Sequence, residues 1–318
     1  NFWAMGDTGP CGRCSEIHYY RGDHLPCSET PCHGIDCSCD RYVEIWNNVF
    51  MEFDRQENGV LAPLHKPSID TGMGLERIVA VLQNRLSNYD TDLFSPLLGA
   101  IGKRAGVSYQ PLTGRDSNST TDVSLRVIAD HLRAMTLLVG DGVTPSNEWR
   151  GYVLRKIMRR AMRHGKKLGL TEPFLHELIN VVVLEMESAY PELTANQPAI
   201  VQTVRREEEQ FDKVLTDGLP RLEDTLVTSE RGGRTVSGKD AFRLYDTFGL
   251  PLDFIEDLAE SRQIKVDRAG FDQAMEAQRA RARASTKFTA TEATRFSPRT
   301  DDDLASLTDT FVGYTDTK

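Results

Sequence analysis

The sequence lacks any long apolar run. Stretches such as Val181–Leu184 fall far below the roughly 20 residues that a membrane-spanning helix needs. No charged-then-apolar signal segment opens it, so a cytoplasmic location with no membrane partner is expected. Cysteine is absent beyond residue 39, all six (Cys11, Cys14, Cys27, Cys32, Cys37, Cys39) lying ahead of it, and a disulfide framework is not expected in a chain with this much core. There is no internal repeat, no Gly-x-Ser-x-Gly elbow and no Walker loop. His176-Glu177-Leu178-Ile179-Asn180 ends in Asn where a zinc protease requires its second His. The sequon Asn118-Ser119-Thr120 carries little meaning without a secretory signal.

What is present is a chain of 318 residues with 47 acids against 38 Lys and Arg, a net charge of −9 and 39% hydrophobic content. These values fit a soluble globular protein of about two domains. The chain opens on Asn1-Phe2-Trp3 rather than Met, which predicts a piece of something longer. Residues 1–70 read as loops and strands, with strands over Tyr42–Phe53 and Pro67–Met73 and a helix from near Leu75. From about residue 120 long amphipathic helices follow. Leu125, Ile128, Leu132, Met135 and Leu138 mark one, stopped at Gly140, and another runs over about 149–164. A third starts with Thr171 as its N-cap, and a fourth is kinked by Pro220. Residues 276–303 read as a charged helix passing into a linker, and Thr310–Tyr314 as a strand.

Four constellations could carry chemistry. In Ser68–Arg77, Gly72 and Gly74 alternate on a strand and leave one face bare for a flat ring or a small substrate. Asp70 faces the same side and could hold an ammonium group, while Arg77 in the first helical turn could clamp a phosphate. In Glu44-Ile45-Trp46-Asn47, Glu44 and Asn47 face opposite sides unless a bulge re-aims one of them, and a Glu beside a phosphate site commonly holds Mg²⁺. The cysteines could form a tetrahedral zinc site, with Cys27, Cys32, Cys37 and Cys39 as its candidates, or remain reduced thiols. Finally, residues 150–167 contain eight Lys and Arg and no acid, with Arg155, Arg159 and Arg163 in one i, i+4 row and Arg150 and Arg160 nearby. Like charges stacked this way destabilise a helix, which favours a polyanion partner over a merely solvated face.

Together these stretches resemble the alanyl-tRNA synthetase family. The resemblance rests on Asn1–Gly12, on Glu44–Asn47 with Val49–Met51, and on Ser68–Arg77, which is similar to the family's class II motif 3. It also rests on Leu125–His131, Pro145–Glu148, Arg150–Arg155 and Tyr245–Pro251. The sequence departs from the family at Arg13, where Pro is usual, at Asn48, where an aliphatic residue is common, and at Trp149, where Gly is usual.

The resemblance implies an α+β fold. The C-terminal half of a class II antiparallel-sheet catalytic domain would occupy 1–115, an all-helical tRNA-recognition domain 116–285, and a linker with the first strand of the editing barrel 286–318. It implies an alanine–tRNA ligase that uses ATP and Mg²⁺, with L-alanine and alanine tRNA as partners. Trp3 would wall the alanine pocket, Asp70 bind the ammonium, Gly72 keep the pocket small and Asn47 hold the amino acid. Glu44 would place Mg²⁺ and ATP, Gly74 would line the ATP site, and Arg77 would bind its phosphates. Asn147 and Asp246 would read the G·U pair of the acceptor stem, with Arg150, Arg155, Arg159, Arg160 and Arg163 on phosphates. The family's zinc belongs mainly to its editing domain. Motifs 1 and 2 would precede Asn1, so these 318 residues alone are expected to be inactive. A non-catalytic tRNA-binding paralogue and a structural zinc protein are the rival readings.

Overall fold

A computed structural model describes residues 1–27, 29–112 and 119–285. The expected linker and strand over 286–318 lie outside the described residues. By its contacts the chain divides into two compact units, Asn1–Pro220 and Arg221–Lys318.

The first unit opens with a four-stranded antiparallel sheet in the order β1 (Phe2–Ala4), β2 (Gly9–Tyr20), β3 (Tyr42–Arg55), β4 (Leu61–Met73). β2 is longer than its turn-rich Cys11–Cys14 start suggests. Gly12 makes it possible, because a Cβ there would meet the Phe50 carbonyl oxygen at 1.7 Å. α1 (Leu75–Leu82) leaves the end of β4, and α2 (Ser95–Ala105) follows, buried through Leu97, Leu98 and Ile101.

The helical part follows with α3 (Thr120–Gly140), α4 (Trp149–Lys167), α5 (Leu175–Met186) and α6 (Glu192–Arg231). Ser119 caps α3: its hydroxyl accepts from the Asp122 amide at 3.0 Å and donates to the Asp122 carboxylate at 2.6 Å. Leu125, Ile128, Leu132 and Met135 of α3 meet Leu154 and Met158 of α4 in a core with no exposure at any of the six. α5 begins at Leu175 rather than near Thr171, so Thr171 is not its cap. The buried carboxylate of Glu208 does that work, accepting from the amides of Phe174 (2.9 Å), Leu175 (2.7 Å) and His176 (3.0 Å). α6 continues as one helix through Pro198 and Pro220.

The boundary between units falls in α6. The second unit carries a two-stranded parallel pair, β5 (Thr235–Val236) and β6 (Lys265–Val266). Around it lie α7 (Gly238–Phe248), α8 (Leu252–Glu260) and α9 (Arg268–Ser285). Among the described residues no helix is long and apolar enough to cross a membrane.

Candidate functional site

The sheet register decides which side chains share a face. In an antiparallel pair, directly opposed residues point the same way. Asn47 is opposite Gly72 on β4 and Glu16 on β2, forming one row across three strands. The next row is Cys14, Val49 and Asp70, and beyond it lie Trp3, Gly12, Met51 and Ser68. Alternation puts all three rows on the same face, so Trp3, Asn47, Asp70 and Gly72 project from one side of the sheet.

Glu44 joins them through a bulge. Ile17 pairs with Trp46 but His18 pairs with Glu44, which leaves Ile45 as the extra residue on β3. His18 alternates with Glu16, and the two side chains meet at 3.1 Å, so Glu44 opposite His18 is turned to the Asn47 face. Arg77, from the first turn of α1, closes on the same corner. Its guanidinium donates to the Glu44 carbonyl at 3.0 Å and lies 3.3 Å from the Glu44 carboxylate. The Gly74 amide donates to Ile45 O at 3.1 Å, tying the end of β4 to the bulge.

The far face is occupied differently. The Trp46 indole donates to the Thr71 hydroxyl, which donates to Asn48 Oδ1 at 2.8 Å. Asn48 therefore belongs to the opposite side from Asn47.

Two features give the open face its chemistry. A Cβ on Gly72 would have nothing within 4 Å, so the space above it is free. Asn47 Oδ1 is buried with no hydrogen-bond partner among the described residues, one row from Asp70 on the same face. Glu16 and His18, on the same face, escaped the sequence reading. The alternation Cys14-x-Glu16-x-His18 was their only signal, and it needed β2 to be recognised as a strand.

The basic helix divides into two faces. Arg150, Lys156 and Arg160 are exposed. Arg155, Arg159 and Arg163, assigned to phosphates from sequence, turn toward the interior. Arg155 Nε and an Arg159 Nη lie 3.0 Å and 3.3 Å from Glu207, a carboxylate with only 3% exposure. Arg159 also stacks over Phe211 at 4.8 Å, and Arg163 is buried. Arg155 donates as well to Asn147 Oδ1, fixing that carboxamide. Gly151 lets the 144–146 turn pack tightly here, since a Cβ would sit 2.2 Å from Ser146 Oγ.

On the buried side, His164 Nδ1 lies 3.0 Å from Ser124 Oγ. Burial, with Lys167, Arg160, Arg163 and His131 nearby, pushes its pKa down to about 4. In the second unit Asp246 is exposed and accepts from Gln278.

The four candidate zinc cysteines come together. The Sγ atoms of Cys27, Cys32, Cys37 and Cys39 all lie within 4.8 Å of one another. Cys11 and Cys14 stay apart from them on β2.

The chain matches, over residues 1–318, the family model described as tRNA synthetases class II (A). It is 50% identical over 301 residues to an alanine–tRNA ligase of Anaeromyxobacter dehalogenans, covering 89% of this chain and 33% of that protein. It is 49% identical over 318 residues to the one of Nitratidesulfovibrio vulgaris, covering 99% and 35%. With that of Hydrogenovibrio crunogenus it shares 52% over 288 residues, covering 91% and 32%. The chain thus spans about a third of the length of the curated relatives it matches. It belongs to the class II (A) tRNA synthetases.

Proposed function

We propose that this chain is part of an alanine–tRNA ligase. Such an enzyme activates L-alanine with ATP to alanyl-adenylate and transfers the alanyl group to the 3′ end of alanine tRNA. The carrying observation is the single face that gathers Trp3, Asn47, Asp70 and Gly72, with an unpartnered Asn47 Oδ1 and free space above Gly72. A small amino acid suits it. Asp70 and Asn47 Oδ1 are acceptors for an ammonium group, Trp3 is a flat wall, and Gly72 leaves room for a methyl group.

In the first step a carboxylate oxygen of alanine attacks the α-phosphorus of ATP and pyrophosphate leaves. In the second, a terminal ribose hydroxyl of the tRNA attacks the adenylate carbonyl carbon and AMP leaves. Arg77 offers a cation to the phosphates, and its bond to the Glu44 carbonyl fixes where that charge sits. Gly74 leaves room for the Arg77 side chain, whose Cδ would lie 3.3 Å from a Cβ there. Glu44 supplies one carboxylate oxygen, and a Mg²⁺ that takes its remaining ligands from phosphates and water fits such a set. A bound Mg²⁺ would supply further neutralisation of phosphate charge.

Asn147 and Asp246 read the G·U pair of the acceptor stem in this proposal. Arg150 and Arg160 meet phosphates, joined by Lys156. Arg155 acts by holding Asn147, Arg159 supports α4 against α6, and Arg163 is buried. The domain division follows the same reading: 1–115 as the back half of the aminoacylation domain, 116–285 as the tRNA-recognition domain, and 286–318 leading to the editing module. A cytoplasmic setting goes with it.

ATP–pyrophosphate exchange on the full-length protein, run with each amino acid separately, tests the proposal. Alanine should drive exchange, with glycine and serine weaker but not excluded, because a pocket rejects the loss of one methylene by only ~1–3 kcal/mol and an added hydroxyl poorly. An enzyme indifferent to alanine overturns it. Residues 1–318 alone are expected to show no exchange.

A further inference from the structure

The connection between β2 and β3 runs from residue 21 to 41, where an antiparallel pair needs only ~2–5 residues. Its sole regular element among the described residues is one turn of 3₁₀ helix at Gly34–Asp36. Besides two cysteines, Cys37 and Cys39, it buries one apolar side chain, Leu25. That is too little apolar surface to order an excursion of this length, and small units with this deficit are commonly stapled by a metal or a disulfide.

The geometry separates the two staples. Cys27 Sγ lies 3.4 Å from Cys37 Sγ, and Cys32 Sγ lies 3.7 Å from Cys39 Sγ. A disulfide needs ~2.05 Å. Four thiolates at ~2.3 Å from a tetrahedral zinc stand about 3.8 Å apart, close to both separations. All four Sγ atoms fall within one 4.8 Å set, as a single-ion site requires. The Glu29 amide points at Cys27 Sγ at 3.4 Å, a donor placed to support a thiolate. The neighbouring His33 is taken up by Glu29 at 2.9 Å, leaving the sulfur set to itself.

We propose that Cys27, Cys32, Cys37 and Cys39 form a tetrahedral four-thiolate zinc site that orders the 21–41 excursion. The Cys-x₄-Cys-x₄-Cys-x-Cys spacing leaves zinc and reduced thiols both open in the sequence, and the fold favours zinc by bringing Cys27 and Cys32 across to Cys37 and Cys39. The site has a structural consequence for the sheet. The excursion closes where the Arg21 amide donates to Arg41 O at 2.7 Å, and Arg41 reaches back to Leu25 O at 2.8 Å. Glu44 follows three residues later. The metal thus pins the strand ends that present His18 and Glu44. This assignment rests on the cysteine geometry and is independent of the ligase reading.

The test is elemental analysis of the full 318-residue chain, purified without chelator or affinity metal, with a count of reactive thiols. About one zinc per chain is expected. Replacing zinc with Co²⁺ should give the visible bands of tetrahedral cobalt together with thiolate charge-transfer absorption. The double substitution Cys32→Ser with Cys39→Ser should lower bound zinc to below about a tenth of an equivalent, while Cys14→Ser leaves it unchanged. Substoichiometric zinc, iron in its place, native disulfides among these four residues, or full zinc retention by the double variant would each overturn the assignment.

Discussion

Arg155 donates to Asn147 Oδ1 from one edge of its guanidinium, and its Nε lies 3.0 Å from the carboxylate of Glu207. A buried acid on α6 therefore sets the aim of an exposed amide ahead of α4, through an arginine that sequence alone would assign to phosphate. One planar guanidinium carries both contacts, an ion pair to Glu207 and a hydrogen bond to Asn147, so the two are coupled.

Substituting Arg155→Met keeps the stem that packs between α4 and α6 but removes the donor. Asn147 then loses its orientation. Charging of alanine tRNA by the full-length protein should fall about tenfold, the scale of one lost hydrogen bond of ~1.4 kcal/mol. Exchange measured without tRNA should not fall with it. Equal losses in both assays would mean that Arg155 supports the fold as a whole.

Glu207→Ala is the harsher change. It removes the buried carboxylate that two half-buried guanidinium groups, those of Arg155 and Arg159, share. Removing one partner from a buried charge cluster costs ~3–5 kcal/mol. Denaturant unfolding should show a loss on that order, whereas an effect below ~1 kcal/mol would show that water compensates the arginines.

Gly72→Ala tests the open face. The added methyl meets nothing within 4 Å, so the sheet should melt at an unchanged temperature. The methyl projects beside Asn47, into the space proposed for the substrate side chain. The kcat/KM for alanine in the exchange assay should drop roughly 10–200-fold, mostly through KM. Unchanged kinetics would remove Gly72 from the pocket.

The parts that sequence makes legible are those set by local pattern. α3 and α4 follow from apolar residues at helical spacing, and the Tyr42–Phe53 strand from its aromatic and β-branched content. α2 is not legible in the sequence because its eleven residues hold two glycines and a proline, a turn-like composition that tertiary burial overrides. Glu44's face could not be assigned, since only the pairing of His18 reveals the bulge at Ile45. The direction of the Arg155, Arg159 and Arg163 row depends on where α6 sets Glu207 and Phe211, some 50 residues on. Helical spacing says that three side chains share a stripe, not whether the stripe faces water.

His164 supplies a pH dependence with a defined sign. An unfolded histidine titrates near ~6.5, whereas in the fold His164 is pushed down to about 4. Between these values the unfolded chain binds the extra proton. Stability contributed by the neutral imidazole is complete above pH ~6.5, declines as pH falls toward 4, and is lost below it. Melting temperature should therefore decrease across this window, and His164→Gln should flatten the decrease. A variant with the slope of the parent would assign the acid sensitivity to other groups.

The backbone of Trp149 gives a physical reason to test this residue. It begins α4 with φ at +53°, a region that costs an L-residue about 1 kcal/mol and glycine nothing. Its side chain is 89% exposed, so truncation sacrifices little packing. Trp149→Gly should accordingly stabilise the chain by up to ~1 kcal/mol in denaturant unfolding, with an unchanged m-value. A destabilised variant would show that the indole makes contacts in solution that outweigh the strain. If charging of alanine tRNA also falls while stability rises, the exposed ring beside Asn147 is retained at a cost to the fold for what it does to the acceptor stem.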